Sequence, residues 1–128
     1  MAAPALRVML VEDNEVYRSS LELLLGMQPG IEVVATAADG DEALVRLAEA
    51  TPDVVLLDYR IPGTDGTELT LRLRELAPEL AVVCLTAEAS PEERAAVLAA
   101  GAAAFAEKGD PIESIVSVIR TASSMHPG

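Results

Sequence analysis

Short apolar runs recur at fairly even spacing along the chain: Leu6 to Val11, Ile31 to Ala35, Val54 to Leu57, Ala81 to Leu85 and Ala102 to Ala106. Each is of strand length, and the stretches between and after them carry a helical period. Tyr17, Leu21, Leu24 and Leu25 fall at offsets 0, 4, 7 and 8, and Ile112, Ile115, Val116 and Ile119 at offsets 0, 3, 4 and 7, which puts each set on one face of a helix. The pattern predicts strand and helix alternating five times, with helices near 15–27, 41–50, 66–76, 91–100 and 111–123.

The predicted helix starts carry consistent chemistry. Asp39 with Glu42, Asp65 with Glu68, Ser90 with Glu93 and Asp110 with Glu113 each read as an N-cap oxygen followed three residues later by a glutamate, a spacing that satisfies free amides of the first turn. Pro91 and Pro111 directly follow their caps, where the missing N–H has no intrahelical partner to lose. The first helix is expected to start at Asn14, with Pro29-Gly30 ending it, and Thr51-Pro52, Ala77-Pro78 and Gly101 end the next three.

Such alternation, with loops too short for hairpin pairing, implies an α/β fold with a parallel sheet covered on both faces. The runs VVLL at 54–57 and AVVCL at 81–85 are expected to be central strands, since a strand buried on both faces need not alternate apolar with polar. There is no internal repeat, low-complexity segment or long linker. Residues 1–128 are therefore expected to form a single domain with an ordered core of about 5–123, a tail that frays from Thr121, and no output domain in this chain.

Composition narrows the partners. Nine basic residues against 21 acidic ones leave a net charge of −12, which repels DNA, RNA and anionic membrane, so no direct nucleic-acid binding is expected. The only aromatics are Tyr17, Tyr59 and Phe105, so the core must be aliphatic. A single cysteine, Cys84, excludes an intramolecular disulfide framework and fits a reducing, cytoplasmic setting, with the thiol read as inert core. No apolar run approaches a membrane span, and the start MAAPALR does not read as a signal peptide. His126 lies in the tail without nearby ligand candidates and is assigned no role.

In an open parallel sheet, ligands bind beyond the carboxyl ends of the strands, where the strand order reverses. There the first strand runs into Glu12 and Asp13, the third into Asp58, the fourth into Thr86 and the fifth into Lys108, the only lysine in the chain. If the first and third strands are neighbours, three carboxylates converge, and like charges ~4 Å apart at an effective dielectric near ~20 repel by about 4 kcal/mol. Such a group needs a cation, and hard oxygen ligands with room left for water suit Mg2+, which characteristically bridges carboxylates to a phosphoryl group. A carboxylate nucleophile, a metal, a lysine and a hydroxyl aimed at one spot are what phosphoryl transfer needs. Asp58 is the expected nucleophile because it leaves a central strand into an extended loop, IPGTDG, able to open to a bulky donor; Glu12 and Asp13 are expected to hold the metal, Glu12 mostly through water.

Four segments in this order and spacing, VMLVEDN at 8–14, VVLLDYRIPGTDG at 54–66, VVCLTAE at 82–88 and GAAAFAEK at 101–108, resemble the receiver (response regulator) domain of two-component signalling over essentially the whole chain. The resemblance implies a flavodoxin-like, doubly wound (βα)5 sheet of five parallel strands in the order 2-1-3-4-5. It also implies that Asp58 is phosphorylated by a sensor histidine kinase or a small phosphodonor in a Mg-dependent reaction. On the same basis Glu12, Asp13, Asp58 and the backbone carbonyl of Arg60 hold the metal, and Asp58, Lys108 and Thr86 are the catalytic set. By the same resemblance Thr86 and Phe105 fall on the family's switch pair, with short side chains from Ala102 to Ala106 leaving the ring room to rotate.

The resemblance further implies a downstream effector or an attached output domain, and a phosphorylation-dependent homodimer or new partner at the surface of the fourth helix, fifth strand and fifth helix. It implies too that the domain catalyses its own phosphorylation and dephosphorylation and does not turn over an external substrate. Many receivers have proline after the lysine, whereas Gly109 stands here, which predicts a looser loop; EKGDPIES at 107–114 looks more like receivers that precede a helix-turn-helix DNA-binding domain. Arg60 and Glu88 are expected to pair across the site mouth and slow loss of the phosphoryl group. The alternative is an interaction module with this fold that does not depend on phosphorylation. A turnover enzyme is disfavoured by the absence of GxGxxG after the first strand and of a P-loop. An aspartyl phosphatase usually has a second acid two residues beyond its nucleophile, and here that residue is Arg60.

Overall fold

The structure is a computed structural model, and residues 4–124 are described; His126 lies outside them. In chain order the elements are β1 (Leu6–Val11), α1 (Glu15–Gly26), β2 (Ile31–Ala37), α2 (Gly40–Ala50), β3 (Val54–Asp58), β4 (Arg60–Ile61), β5 (Thr64–Asp65), α3 (Gly66–Leu76), β6 (Ala81–Thr86), α4 (Pro91–Ala99), β7 (Ala104–Glu107) and α5 (Ile112–Ser124). β1, β2, β3, β6 and β7 form one parallel sheet in the order β2-β1-β3-β6-β7. This is the expected 2-1-3-4-5 order of a doubly wound fold.

The unbroken apolar runs have a simple cause. Along β1, Val8 and Leu10 join one core while Met9 and Val11 join the other; Val54 and Leu56 part from Val55 and Leu57 in the same way along β3, and Ala81, Val83 and Leu85 part from Val82 and Cys84 along β6. One core is closed by Leu21 and Leu25 of α1 with Ile115, Val116 and Ile119 of α5. The other is closed by Ala43 and Leu47 of α2, Leu69 and Leu73 of α3 and Val97 of α4. Both faces are dry along Val8–Val11, Val54–Leu57 and Ala81–Leu85, so these runs are apolar throughout.

Helix caps form at most of the expected positions. Asn14, Asp39, Asp65 and Ser90 accept from the backbone N–H of Tyr17, Glu42, Glu68 and Glu93 at 2.9, 2.8, 2.9 and 3.1 Å. Ser90 and Glu93 form the full reciprocal box, with Ser90 N–H donating to Glu93 Oε1 at 2.9 Å. The expected cap at Asp110 is corrected: its carboxylate turns back to accept from Glu107 N–H at 3.3 Å. α5 starts one residue later than expected, with the Pro111 carbonyl accepting from Ser114 and Ile115. At its other end α5 runs on to Ser124 with Ala122 buried.

Two strand readings also change. The last sheet strand is Ala104–Glu107 and not Ala102 to Ala106, because the Ala102 N–H is taken by the Val97 carbonyl as the chain turns out of α4 through Gly101, whose φ is +115°. The loop expected to be extended after Asp58 is folded into an antiparallel hairpin, Arg60 opposite Asp65 and Ile61 opposite Thr64. Pro62-Gly63 makes its turn, with Gly63 at φ +81°, the conformation a type II turn requires at its third residue.

Candidate functional site

The strand order reverses between β1 and β3, so the crevice that such a sheet offers lies beyond their carboxyl ends. Glu12 directly follows β1 and Asp58 is the last residue of β3; both are buried, while Asp13 is exposed. One carboxylate oxygen from each of the three lies within 4.8 Å of the others. Lys108, one residue past β7, reaches across from the far strand, its Nζ 2.5 Å from Glu12 Oε1 and 2.9 Å from Asp58 Oδ2. The second oxygens are also engaged: Asn14 N–H donates to Glu12 Oε2 at 3.2 Å and Arg60 N–H to Asp58 Oδ1 at 3.2 Å.

The electrostatics follow from this packing. Burial pushes the Glu12 carboxyl above its ordinary range, with the Lys108 hydrogen bond pulling the other way. Burial alone would lower the Lys108 ammonium, but its hydrogen bonds to Glu12 and Asp58 and their charges hold it above the usual lysine value. Three carboxylates against one ammonium leave two negative charges in a partly dry crevice. The donors are all hard oxygens and the residual charge matches a divalent cation, so the residues fit Mg2+ or a similar ion. Asp13 is the exposed carboxylate of the three, whereas both oxygens of Glu12 already accept hydrogen bonds.

A match to the model of the response regulator receiver domain extends over residues 8–120. The chain belongs to the receiver-domain family. It is 35% identical over 115 residues to the response regulator GacA of Pseudomonas viridiflava and 34% identical over 122 residues to the transcriptional regulatory protein LiaR of Bacillus subtilis. These matches cover 90% and 95% of this chain but 54% and 58% of those proteins, so the chain spans about half the length of the curated relatives it matches. Among solved structures, a LuxR-family two-component response regulator from Aurantimonas sp. SI85-9A1 superposes with a TM-score of 0.90 at 30% identity, covering 97% of this chain and 88% of that one. The response regulator domain of Thermotoga maritima CheB superposes at 0.87 with 27% identity over 96% and 99% of the two chains.

The other expected site residues of this receiver domain fall in different places. Thr86 ends β6, buried, and its carbonyl accepts the Lys108 N–H at 3.1 Å. Phe105 pairs in register with Cys84, two residues before the Thr86–Glu107 rung, and is half-buried. It is covered by Arg94 of α4, whose guanidinium carbon lies 5.1 Å from the ring centroid and whose Nη2 is 3.2 Å from Glu107 Oε1. The expected Arg60–Glu88 pair is corrected. Arg60 Nη2 lies 3.5 Å from Glu93 Oε2, because the capping box holds Glu93 by its other oxygen and presents this one outward. That hydrogen bond from the Ser90 backbone, with Arg60 nearby, keeps the Glu93 carboxyl below the ordinary glutamate range.

Two residues beside the site escaped the sequence reading. Tyr17 was legible only as a core position of α1, yet Lys108 Nζ lies 4.9 Å from its ring centroid. Arg94 carried no signal at all. Cys84, by contrast, behaves as expected: burial, with the charge of Asp58 adding to it, pushes its thiol up to about 12. The folded chain should therefore resist a disulfide-exchange reagent at pH 8 and release one thiol equivalent only in denaturant; rapid labelling of the native protein is the contrary result.

Proposed function

We propose that Asp58 is the phosphoacceptor of a signalling switch, taking a phosphoryl group from a sensor histidine kinase or a small phosphodonor such as acetyl phosphate in a Mg-dependent reaction. The observation that carries this reading is the Asp58 carboxylate at the end of a central strand, 2.9 Å from the Lys108 ammonium and grouped with Glu12 and Asp13. An Asp58 oxygen attacks phosphorus, the bond from phosphorus to the donor breaks, and the electron pair leaves with the donor. Lys108 is placed to accompany charge from the carboxylate onto the phosphoryl oxygens as it forms. Asp13, Asp58 and the Arg60 carbonyl would hold Mg2+, with Glu12 acting through water, and the ion would neutralise the phosphoryl oxygens during transfer.

Thr86 and Phe105 form the proposed switch pair, the hydroxyl moving toward the phosphoryl group and the ring inward. An added charge of about −1.5 to −2 at Asp58 would then bias the surface of α4, β7 and α5 toward a new partner or a homodimer. Relatives named as transcriptional regulators favour an output in transcription, through a downstream effector or an attached output domain. A cytoplasmic location accords with this, and no helix among the described residues is long and apolar enough to cross a membrane.

The test is intact-protein mass after incubation with acetyl phosphate, with and without magnesium, beside Asp58→Ala. One phosphoryl group that requires both the metal and Asp58 is the expected result. No incorporation, from acetyl phosphate or from a phosphorylated histidine kinase, would transfer the chain to the class of phosphorylation-independent interaction modules.

A further inference from the structure

Lys108 reaches the phosphoacceptor from the turn that follows β7, its own N–H held by the Thr86 carbonyl at 3.1 Å. Gly109 follows it, exposed and with nothing packed where a side chain would stand. Lysine itself is a flexible four-carbon stem carrying a compact charge with three rotatable donors. Glu12 and Asp58 take two of those donors, but phosphoryl transfer must loosen the Asp58 bond, since that carboxylate becomes the acyl phosphate. At that moment Glu12, at 2.5 Å, is the carboxylate partner that remains, so any further contact that holds the ammonium bears on the transfer.

Tyr17 meets Lys108 at both ends. The Lys108 Nζ lies 4.9 Å from the centroid of the Tyr17 ring, within the range in which a cation is drawn to an aromatic face. The Tyr17 hydroxyl reaches the Lys108 backbone carbonyl at 3.5 Å. Tyr17 is itself well fixed: its N–H is capped by Asn14 Oδ1 at 2.9 Å in the first turn of α1, and its half-buried side chain packs on the core shared with α5. The chemistry of the contact suits its position. A neutral ring attracts the ammonium without adding charge to a crevice that already carries two negative charges in excess, and the attraction leaves all three N–H groups free to turn from carboxylate to phosphoryl oxygen.

We propose that Tyr17 is a positioning residue for Lys108, its ring helping to hold the ammonium beside Asp58. The proposal rests on the reading of Asp58 as phosphoacceptor and deepens it, because it makes the transfer rate depend on an α1 side chain that makes no hydrogen bond to Asp58. Neither helical periodicity nor motif spacing points to such a role.

Two substitutions separate the contacts. Tyr17→Leu keeps apolar bulk and removes both ring and hydroxyl; Tyr17→Phe keeps the ring. With acetyl phosphate and saturating magnesium, followed by intact mass, Tyr17→Leu is expected to slow phosphorylation about 3- to 30-fold and Tyr17→Phe to stay within about 3-fold of wild type. In a Lys108→Ala background, Tyr17→Leu should cause no further loss, as for residues acting through one contact. A Tyr17→Leu rate equal to wild type, or an undiminished loss in the Lys108→Ala background, overturns the proposal.

An independent readout comes from Lys108 being the only lysine. In lysine-selectively labelled protein its ε-methylene signal should be shifted upfield by the Tyr17 ring, remain so in Tyr17→Phe and move to the free-lysine position in Tyr17→Leu. An unshifted signal in wild type overturns the contact whatever the rates show. Failure of the wild-type chain to accept any phosphoryl group, with the shift present, instead overturns the Asp58 reading.

Discussion

Replacing Lys108 with alanine is expected to slow phosphoryl transfer to Asp58 by about 10²–10³-fold, the usual cost of removing one preorganised donor from a site where charge develops. The same change should tighten divalent-cation binding by about an order of magnitude, since an ammonium 2.5 and 2.9 Å from two of the candidate ligands repels the ion. The two effects have opposite signs, which separates this role from general damage to the fold. Transfer rates from intact mass and magnesium affinity by titration calorimetry would check both. A variant that lost affinity and rate together would point to collapse of the crevice, and one that kept its rate would remove Lys108 from the chemistry.

Gly66→Val should destabilise the chain by about 3 kcal/mol, at the upper end for overpacking, and slow phosphorylation with it. A Cβ built on Gly66 would stand 3.0 Å from both Cα and Cδ2 of Tyr59, and the Gly66 N–H donates to the Tyr59 carbonyl at 2.7 Å. The side chain of Tyr59 can turn away, but its Cα belongs to the backbone that follows Asp58 directly. Any added atom must therefore move either the start of α3 or the end of β3. Urea unfolding should show a lower midpoint at unchanged slope; a midpoint equal to wild type would mean that the hairpin between β3 and α3 yields freely.

The legibility of the site differed from residue to residue. Asp58, Glu12, Asp13 and Lys108 could be placed at strand ends because each lies within two residues of the end of an apolar run, and a parallel sheet collects such ends on one side. Arg60 could be placed there too, but not its partner. Glu88 and Glu93 are equally acidic in sequence, and only the capping box, which orients one oxygen of Glu93 toward Arg60, decides between them. Asp110 shows the same limit. Its spacing to Glu113 fits a cap, yet the turn after β7 brings the Glu107 N–H closer.

By itself the sequence determined the alternation of strands and helices, the two-faced burial of the sheet and the side on which the acidic group gathers. These follow from local periodicity and from the constraint that parallel strands impose on their connections. Only the tertiary structure decided that Lys108 bridges Glu12 and Asp58, 96 and 50 residues away along the chain, that Tyr17 lies against its ammonium, and that Gly66 abuts Tyr59. Contacts between distant side chains depend on strand register and helix rotation, which position each atom to within an ångström or so, and no pattern of residue types carries that information.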